Sequence, residues 1–246
     1  MFPYRDEIHT FRFPAVTLAL IGANVAVWLM IEGLGSEPAL SRSICLLGLI
    51  PGEFLQRIPA GSQLPVGPGL ACVVEGSRNW LTPLSSMFMH GGWLHLIGNM
   101  WFLWIFGDNV EDAMGPGRYL LFYLLCGLAA ASAQMLAAPS SPIPMVGASG
   151  AISGVMGAYV LLYPKVRVRL LVFLAFYVTT IAVPAYLMVG YWFLLQLLGA
   201  VPRSETAEGG VAFWAHIGGF VAGVVLVKLF EDPRLVARQR QAISLS

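Results

Sequence analysis

Charge is what this sequence has least of. Asp, Glu, Lys and Arg make up 11% of its 246 residues, where soluble domains carry roughly 25%. Hydrophobic residues make up 57%, so there are too few charged groups to coat a water-facing sphere. That excludes an ordinary soluble enzyme. It also excludes a disordered chain, which needs low hydrophobicity and high charge. Net charge is nearly absent as well, at +1, and gives no support to a nucleic-acid partner, whose phosphates demand a basic surface. What remains is a polytopic membrane protein, with the lipid bilayer as its solvent.

Cysteine is scarce too. Cys45, Cys72 and Cys126 lie too far apart to form a metal cluster, and neither a metal nor another cofactor is expected. Cys126 sits in an apolar stretch and reads as packing, since a free Cys behaves as a small hydrophobe. Cys45 and Cys72 share one long polar connection. They read equally as a disulfide, if that connection faces an oxidising compartment, or as two free thiols.

Long uncharged runs are what the sequence has instead. A helix needs about 20 apolar residues to cross a bilayer, and the gaps between charges mark where such helices fit. The expected spans lie near residues 13–31, 84–107, 118–138, 147–163, 178–199 and 211–229 of a single membrane domain, 1–246. The third and fourth are divided by Pro139-Ser140-Ser141-Pro142-Ile143-Pro144, because proline lacks a donor and blocks helix continuation. A cleaved signal peptide is a poor reading of the first span, which is longer than a usual apolar core and has no clear cleavage site. Backbone groups in hydrocarbon must be satisfied internally, so the fold class is all-α, a six-helix transmembrane bundle.

Lys and Arg counts orient it. With the N-terminus in the cytoplasm, ten fall inside (Arg5, Arg12, Arg118, Lys165, Arg167, Arg169, Lys228, Arg234, Arg238, Arg240) and four outside (Arg42, Arg57, Arg78, Arg203). Both termini are therefore expected to be cytoplasmic. Residues 32–83 then form a large outer loop, too long for an idle linker, with apolar patches suited to the membrane interface.

Polar groups inside spans are costly and need a partner or a purpose. His95 and Asn99 are four apart and share one helix face. If the helix extends back to His90, that residue points roughly 140° away. The fourth span opens on Gly147-Ala148-Ser149-Gly150, the sixth on Ala215-His216-Ile217-Gly218-Gly219. Under the expected topology the second, fourth and sixth spans all start at the outer face, which brings Asn99, Ser149 and His216 to similar depth. Gly150 and Gly154 are four apart, as are Gly219 and Gly223, and small residues at that spacing let membrane helices approach closely. Taken singly, Ser149 reads as a serine bonded to the preceding turn, His216 as a polar bridge, and the glycines as packing. Together at one depth they read as a nucleophile and its base.

Other chemistries fit less well. His90 and His95 lack the His-Glu-x-x-His pattern of a zinc protease. All thirteen acidic residues lie in loops, tails or span ends, so no carboxylate is on hand for a Ser-His-Asp triad. Polar residues at outer depth, few intramembrane charges and no evident repeat argue against a transporter.

These residues resemble the rhomboid intramembrane serine proteases. The match runs from about Arg78 to Val227. His90-Gly-Gly-Trp-Leu-His95-Leu-Ile-Gly-Asn99 looks like the family's second-span motif. Gly147-Ala148-Ser149-Gly150 looks like its nucleophile motif, and Ala215-His216 with Gly219 and Gly223 looks like its histidine helix. Glu111 also has a family counterpart. The resemblance implies that Ser149 is the nucleophile, His216 the base, and His95 and Asn99 oxyanion donors together with backbone at Gly147, Ala148 and Ser149. His90, Gly150, Gly219 and Gly223 carry over as structural support. It further implies transmembrane protein substrates cleaved near their outer ends, sideways entry near the second and fifth spans, and residence in a cell membrane, in a bacterium the inner or plasma membrane, with the site toward the outer face. Members often carry an aromatic four residues after the nucleophile, stacked on the histidine. Here that residue is Ser153, so the imidazole must be held otherwise. A Trp-Arg pair of some members' first loop is not evident. A non-catalytic, client-handling relative is the alternative, but such proteins lose the serine or the histidine, and both are present here.

Overall fold

A computed structural model describes residues 2–67, 70–174, 177–200 and 212–245. The architecture is all-α, with a small sheet at each end of a helical bundle. The chain begins with β1 (Phe2–Asp6) and α1 (Ala15–Met30). The long connection after α1 holds α2 (Ala39–Leu47), α3 (Pro51–Phe54), the antiparallel pair β2 (Gln63–Gly67) and β3 (Leu70–Val73), and the single turn α4 (Thr82–Ser85). Cys45 on α2 and Cys72 on β3 are joined in a disulfide, and Cys126 is a buried free thiol.

The bundle follows: α5 (Trp93–Met114), α6 (Pro116–Ala137), α7 (Ser149–Leu162), β4 (Arg167–Leu174), β5 (Tyr177–Pro184), α8 (Ala185–Ala200), α9 (Phe213–Phe230) and α10 (Pro233–Leu245). By length and composition α6 and α9 each suffice to cross a membrane, while α1, α7 and α8 are shorter apolar helices. The turn between α5 and α6 is written locally. Gly115 at φ +80° ends α5, donating its N–H to Glu111 O at 2.7 Å, and Pro116 then opens α6. A left-handed glycine after one helix and a proline at the start of the next are the favoured residues there.

Two expected boundaries move. The helix expected at 84–107 runs instead from Trp93 to Met114. Residues 86–88 form a tight 3-10 turn and His90-Gly91-Gly92 is irregular. The glycine pair ends the run that absence of charge alone had extended, so His90 precedes the helix rather than sharing it. The segment expected at 178–199 starts as strand, and its helix begins only at Ala185. Val178-Thr179-Thr180-Ile181 is β-branched and pairs antiparallel with β4, as such residues prefer. β4 in turn pairs with β1, giving a sheet ordered β1-β4-β5 where α5 and α7 finish. On β4, Val168, Leu170 and Val172 are buried between more exposed neighbours, the period-two pattern of a half-buried strand. Arg203 and the start expected at residue 211 lie outside the described residues.

The core centres on α7, where eleven of fourteen residues are buried. Elsewhere the bundle turns apolar side chains outward: Leu94 is 88% exposed and Leu229 75%. An outer surface of this kind fits hydrocarbon as solvent.

Candidate functional site

Helices α5, α7 and α9 begin at the same end of the bundle, and their first turns converge. Ser149 is the first residue of α7, and His216 lies in the first turn of α9. His216 Nε2 is 2.8 Å from Ser149 Oγ. The two helices that carry these side chains also meet backbone to backbone, and glycine makes that approach possible. A Cβ on Gly219 would overlap Gly150 O, and one on Gly223 would overlap Gly154 O. The same glycines also face α6: a Cβ on Gly150 would lie 2.6 Å from Ala130 Cβ, and one on Gly154 2.5 Å from Cys126 Cβ. The two glycine pairs therefore mesh with each other, and α6, α7 and α9 meet along one seam of small residues.

The loop into Ser149 is equally determined. Met145 exchanges two backbone hydrogen bonds with Leu49, at 2.7 and 3.1 Å, and Gly147 N–H donates to Ser86 O at 2.9 Å. Gly147 holds φ +122°, and a Cβ there would lie 2.7 Å from His95 Nε2 and 3.5 Å from Asn99 Nδ2. Glycine is required on both counts. Ala148 is fully buried, and its carbonyl accepts the first helical bond of α7, from Ile152 N–H at 3.0 Å. Among the described residues no side chain caps this helix, so its first-turn amides and positive dipole end face the site.

His95 and Asn99 close the other wall. Gly91 N–H donates to His95 Nδ1 at 3.3 Å. In a neutral ring that leaves the proton on Nε2, the atom facing the Gly147 loop. Asn99 is buried, and among the described residues its Nδ2 has no hydrogen-bond partner. Two donors thus point at one place, beside the Ser149 hydroxyl at a helix N-terminus. A cavity of about 500 Å³ opens over them, lined also by Leu94, Phe102, Met145, Met156 and Trp192. Among the described residues no Asp or Glu lines it, and no group of three or more potential metal ligands occurs.

His90 stands behind His95, fully buried, with its ring edge-on to the His95 ring at 5.1 Å. Its backbone N–H donates to Glu32 Oε1 at 2.7 Å. Glu32, just past α1, is buried, and burial pushes its carboxyl up to about 7 against the lowering effect of that hydrogen bond. Ser153 does not touch the imidazole: its hydroxyl donates to Ser149 O at 2.6 Å. The ring is held from α8 instead. Gln196 Oε1 lies 2.7 Å from His216 Nδ1, and the Trp192 ring stands beside the imidazole, centroids 6.0 Å apart. The sequence reading missed both residues. The signal for Gln196 was available, since it is the one amide or charged side chain in α8.

The acids at the other end of α5 have a different task. Glu111 accepts from Val16 N–H at 2.9 Å and from Thr17 N–H and hydroxyl, both at 2.8 Å, capping the start of α1. Asp112 accepts from Phe11 N–H at 2.9 Å and from Gln239 at 3.0 Å, tying down the N-terminal segment and α10. Asp6 accepts from Tyr159 at 2.6 Å and Asn109 at 2.9 Å, and burial holds its carboxyl at about 6.

The rhomboid domain model matches residues 77–232 of this chain. Over 165 residues the chain is 33% identical to the rhomboid protease GluP of Bacillus subtilis, an alignment covering 67% of this chain and 29% of that protein. It is 31% identical over 159 residues to the chloroplastic rhomboid-like protein 11 of Arabidopsis thaliana, covering 61% of this chain and 52% of the relative. The mitochondrial rhomboid protein 1 of Saccharomyces cerevisiae is 29% identical over 148 residues, 58% of this chain and 39% of the relative. The chain therefore spans about half the length of these relatives or less.

Proposed function

The chain belongs to the rhomboid family of membrane-embedded proteins, and from that premise we propose that it is an intramembrane serine endopeptidase. The observation that carries this reading is the 2.8 Å contact between His216 Nε2 and Ser149 Oγ, beneath a cavity that also holds His95 and Asn99. Ser149 Oγ attacks the scissile carbonyl as its proton passes to His216 Nε2. The oxyanion forms beside the His95 Nε2–H, the Asn99 amide and the first-turn amides of α7. His216 then returns the proton to the leaving amine, and water resolves the acyl-enzyme by the same route.

The substrates are transmembrane segments of other proteins, entering sideways near α5 and α8. Six spans cross the membrane, provided by α1, α5, α6, α7, α8 and α9. Both termini are cytoplasmic, and the site faces outward at a cell membrane, in a bacterium the inner membrane. The Lys and Arg bias supports this orientation, and so does the Cys45–Cys72 disulfide, which an oxidising outer compartment preserves. The test is cleavage of a single-span substrate in liposomes. Ser149→Ala and His216→Ala are each expected to abolish it while leaving thermal unfolding unchanged. Cleavage retained by either purified variant overturns the proposal, and failure of wild type to react with a fluorophosphonate at Ser149 favours a client-handling role.

A further inference from the structure

We propose that Gln196 is the positioning residue of this site: by holding His216 Nδ1 it sets the tautomer and aim of the imidazole. The inference rests on reading Ser149 and His216 as nucleophile and base. A neutral imidazole has one N–H and one lone pair. To take the serine proton, Nε2 must offer its lone pair to Ser149, so the ring proton must sit on Nδ1 and needs an acceptor there. Gln196 Oε1, at 2.7 Å, is that acceptor.

A glutamine amide presents either oxygen or nitrogen, and here the choice is made within α8. Gln196 Nε2 donates to Trp192 O one turn earlier, at 3.3 Å. Turning the amide over would set Oε1 against that carbonyl, acceptor against acceptor, and would press the NH₂ group on Nδ1. That arrangement forces the ring proton onto Nε2, where it points at Ser149 and the base is lost. The bond to Trp192 therefore propagates through the amide to the imidazole and fixes the productive tautomer.

Burial singles out the same residue. Leu194, Leu195, Leu197 and Leu198 around it are 50%, 43%, 42% and 55% exposed, while Gln196 is 9% exposed. A bundle stabilised by apolar packing has no use for an amide as its one inward group on this stretch, whereas an imidazole lacking a carboxylate partner does. During the reaction the proton moves from Ser149 Oγ to His216 Nε2, and the Nδ1 proton stays on the ring. The amide carbonyl faces the imidazolium with the negative end of a dipole, without adding a charge that the bilayer penalises.

The experiment pairs Gln196→Leu, which keeps bulk and removes the acceptor, with Gln196→Glu, which keeps an oxygen at the same reach. Both are purified full-length, checked by thermal unfolding, and assayed on the same single-span substrate. The leucine variant is expected to lose roughly ten- to a hundredfold in kcat with KM nearly unchanged, a fraction of what general-base catalysis supplies. The glutamate variant is expected to recover most of that loss. In parallel, ¹⁵N NMR of the histidines, with His216→Ala to assign the signal, is expected to show Nδ1 protonated in wild type and a shift toward Nε2–H in Gln196→Leu. Wild-type kcat in Gln196→Leu, or an Nε2-protonated His216 in wild type, overturns the inference. If wild type neither cleaves nor takes up a fluorophosphonate, the endopeptidase reading has failed separately. The spectra then decide on Gln196 alone: loss of the Nδ1 proton in Gln196→Leu upholds its role, and an unchanged tautomer removes it.

Discussion

Helices α7 and α8 both bear on the candidate dyad, and they are built in opposite ways. Eleven of fourteen residues of α7 are buried, against three of sixteen, Ala185, Val189 and Gln196, on α8. Helix α7 meets α6 and α9 closely through its glycines. Helix α8 turns most of its leucines outward. The proposed nucleophile thus sits on the more deeply buried helix, and the residue proposed to aim its base sits on a helix most of whose side chains are exposed. Under the proposed function, the tighter packing lies where a bond must form. The looser helix contributes one directional contact, which demands orientation rather than packing.

The sharpest way to break this contrast is at the α7–α9 contact. Gly219→Leu forces backbone apart at Gly150, so cleavage of a single-span substrate should fall below detection and the melting temperature should drop. Overpacking typically costs about 1–3 kcal/mol. Normal turnover in that variant would mean that the glycine contact does not set the dyad. Next in size is Asn99→Ala, expected under the proposed function to lower kcat by about 10²–10³ with little change in KM, the loss typical of an oxyanion donor; steady-state kinetics on the same substrate measure it. A third comparison sets one helix against the other directly. Met156→Ala on α7, 1% exposed, should cost about 2–5 kcal/mol in denaturant unfolding. Leu198→Ala on α8, 55% exposed, should stay within about 0.5 kcal/mol. Equal costs would show that α8 is packed as tightly as α7.

The smallest effect lies behind the site and depends on pH. The Glu32 carboxyl is held at about 7, above its ordinary 4.5. Below 4.5 it is protonated in both folded and unfolded chains and contributes nothing. As pH rises from 4.5 to about 7 the unfolded chain ionises first, so folding loses stability across that window and no further above it. Glu32→Gln keeps the acceptor for His90 N–H and removes the titration. Its melting temperature should gain on wild type between these two values, and parallel curves would refute the assignment.

Scarcity made much of the site legible in the sequence. In a chain this apolar, Ser149, His216, His95 and Asn99 stand out because hydrocarbon tolerates few polar groups, and the glycine spacing of α7 and α9 announces close approach. Gln196 carries the same signal, but an amide in an apolar run was not weighed against serine and histidine as a chemical group. The early part of the expected second span failed because absence of charge does not report backbone conformation, and Gly91-Gly92 breaks the helix without any charge. The strands were overlooked for a related reason. Arg167-Val168-Arg169-Leu170 alternates with period two, but its arginines read first as orientation markers.

Backbone meeting backbone at Gly219 and Gly150, and again at Gly223 and Gly154, gives the dyad an unusual kind of tolerance. The separation of Ser149 and His216 is gauged by atoms that every residue carries, with no side chain between to be exchanged for a slightly larger or smaller one. Sequence drift over the rest of α7 and α9 leaves that gauge untouched, while one added methyl at a glycine resets it, and no substitution elsewhere can compress a carbonyl oxygen to restore it.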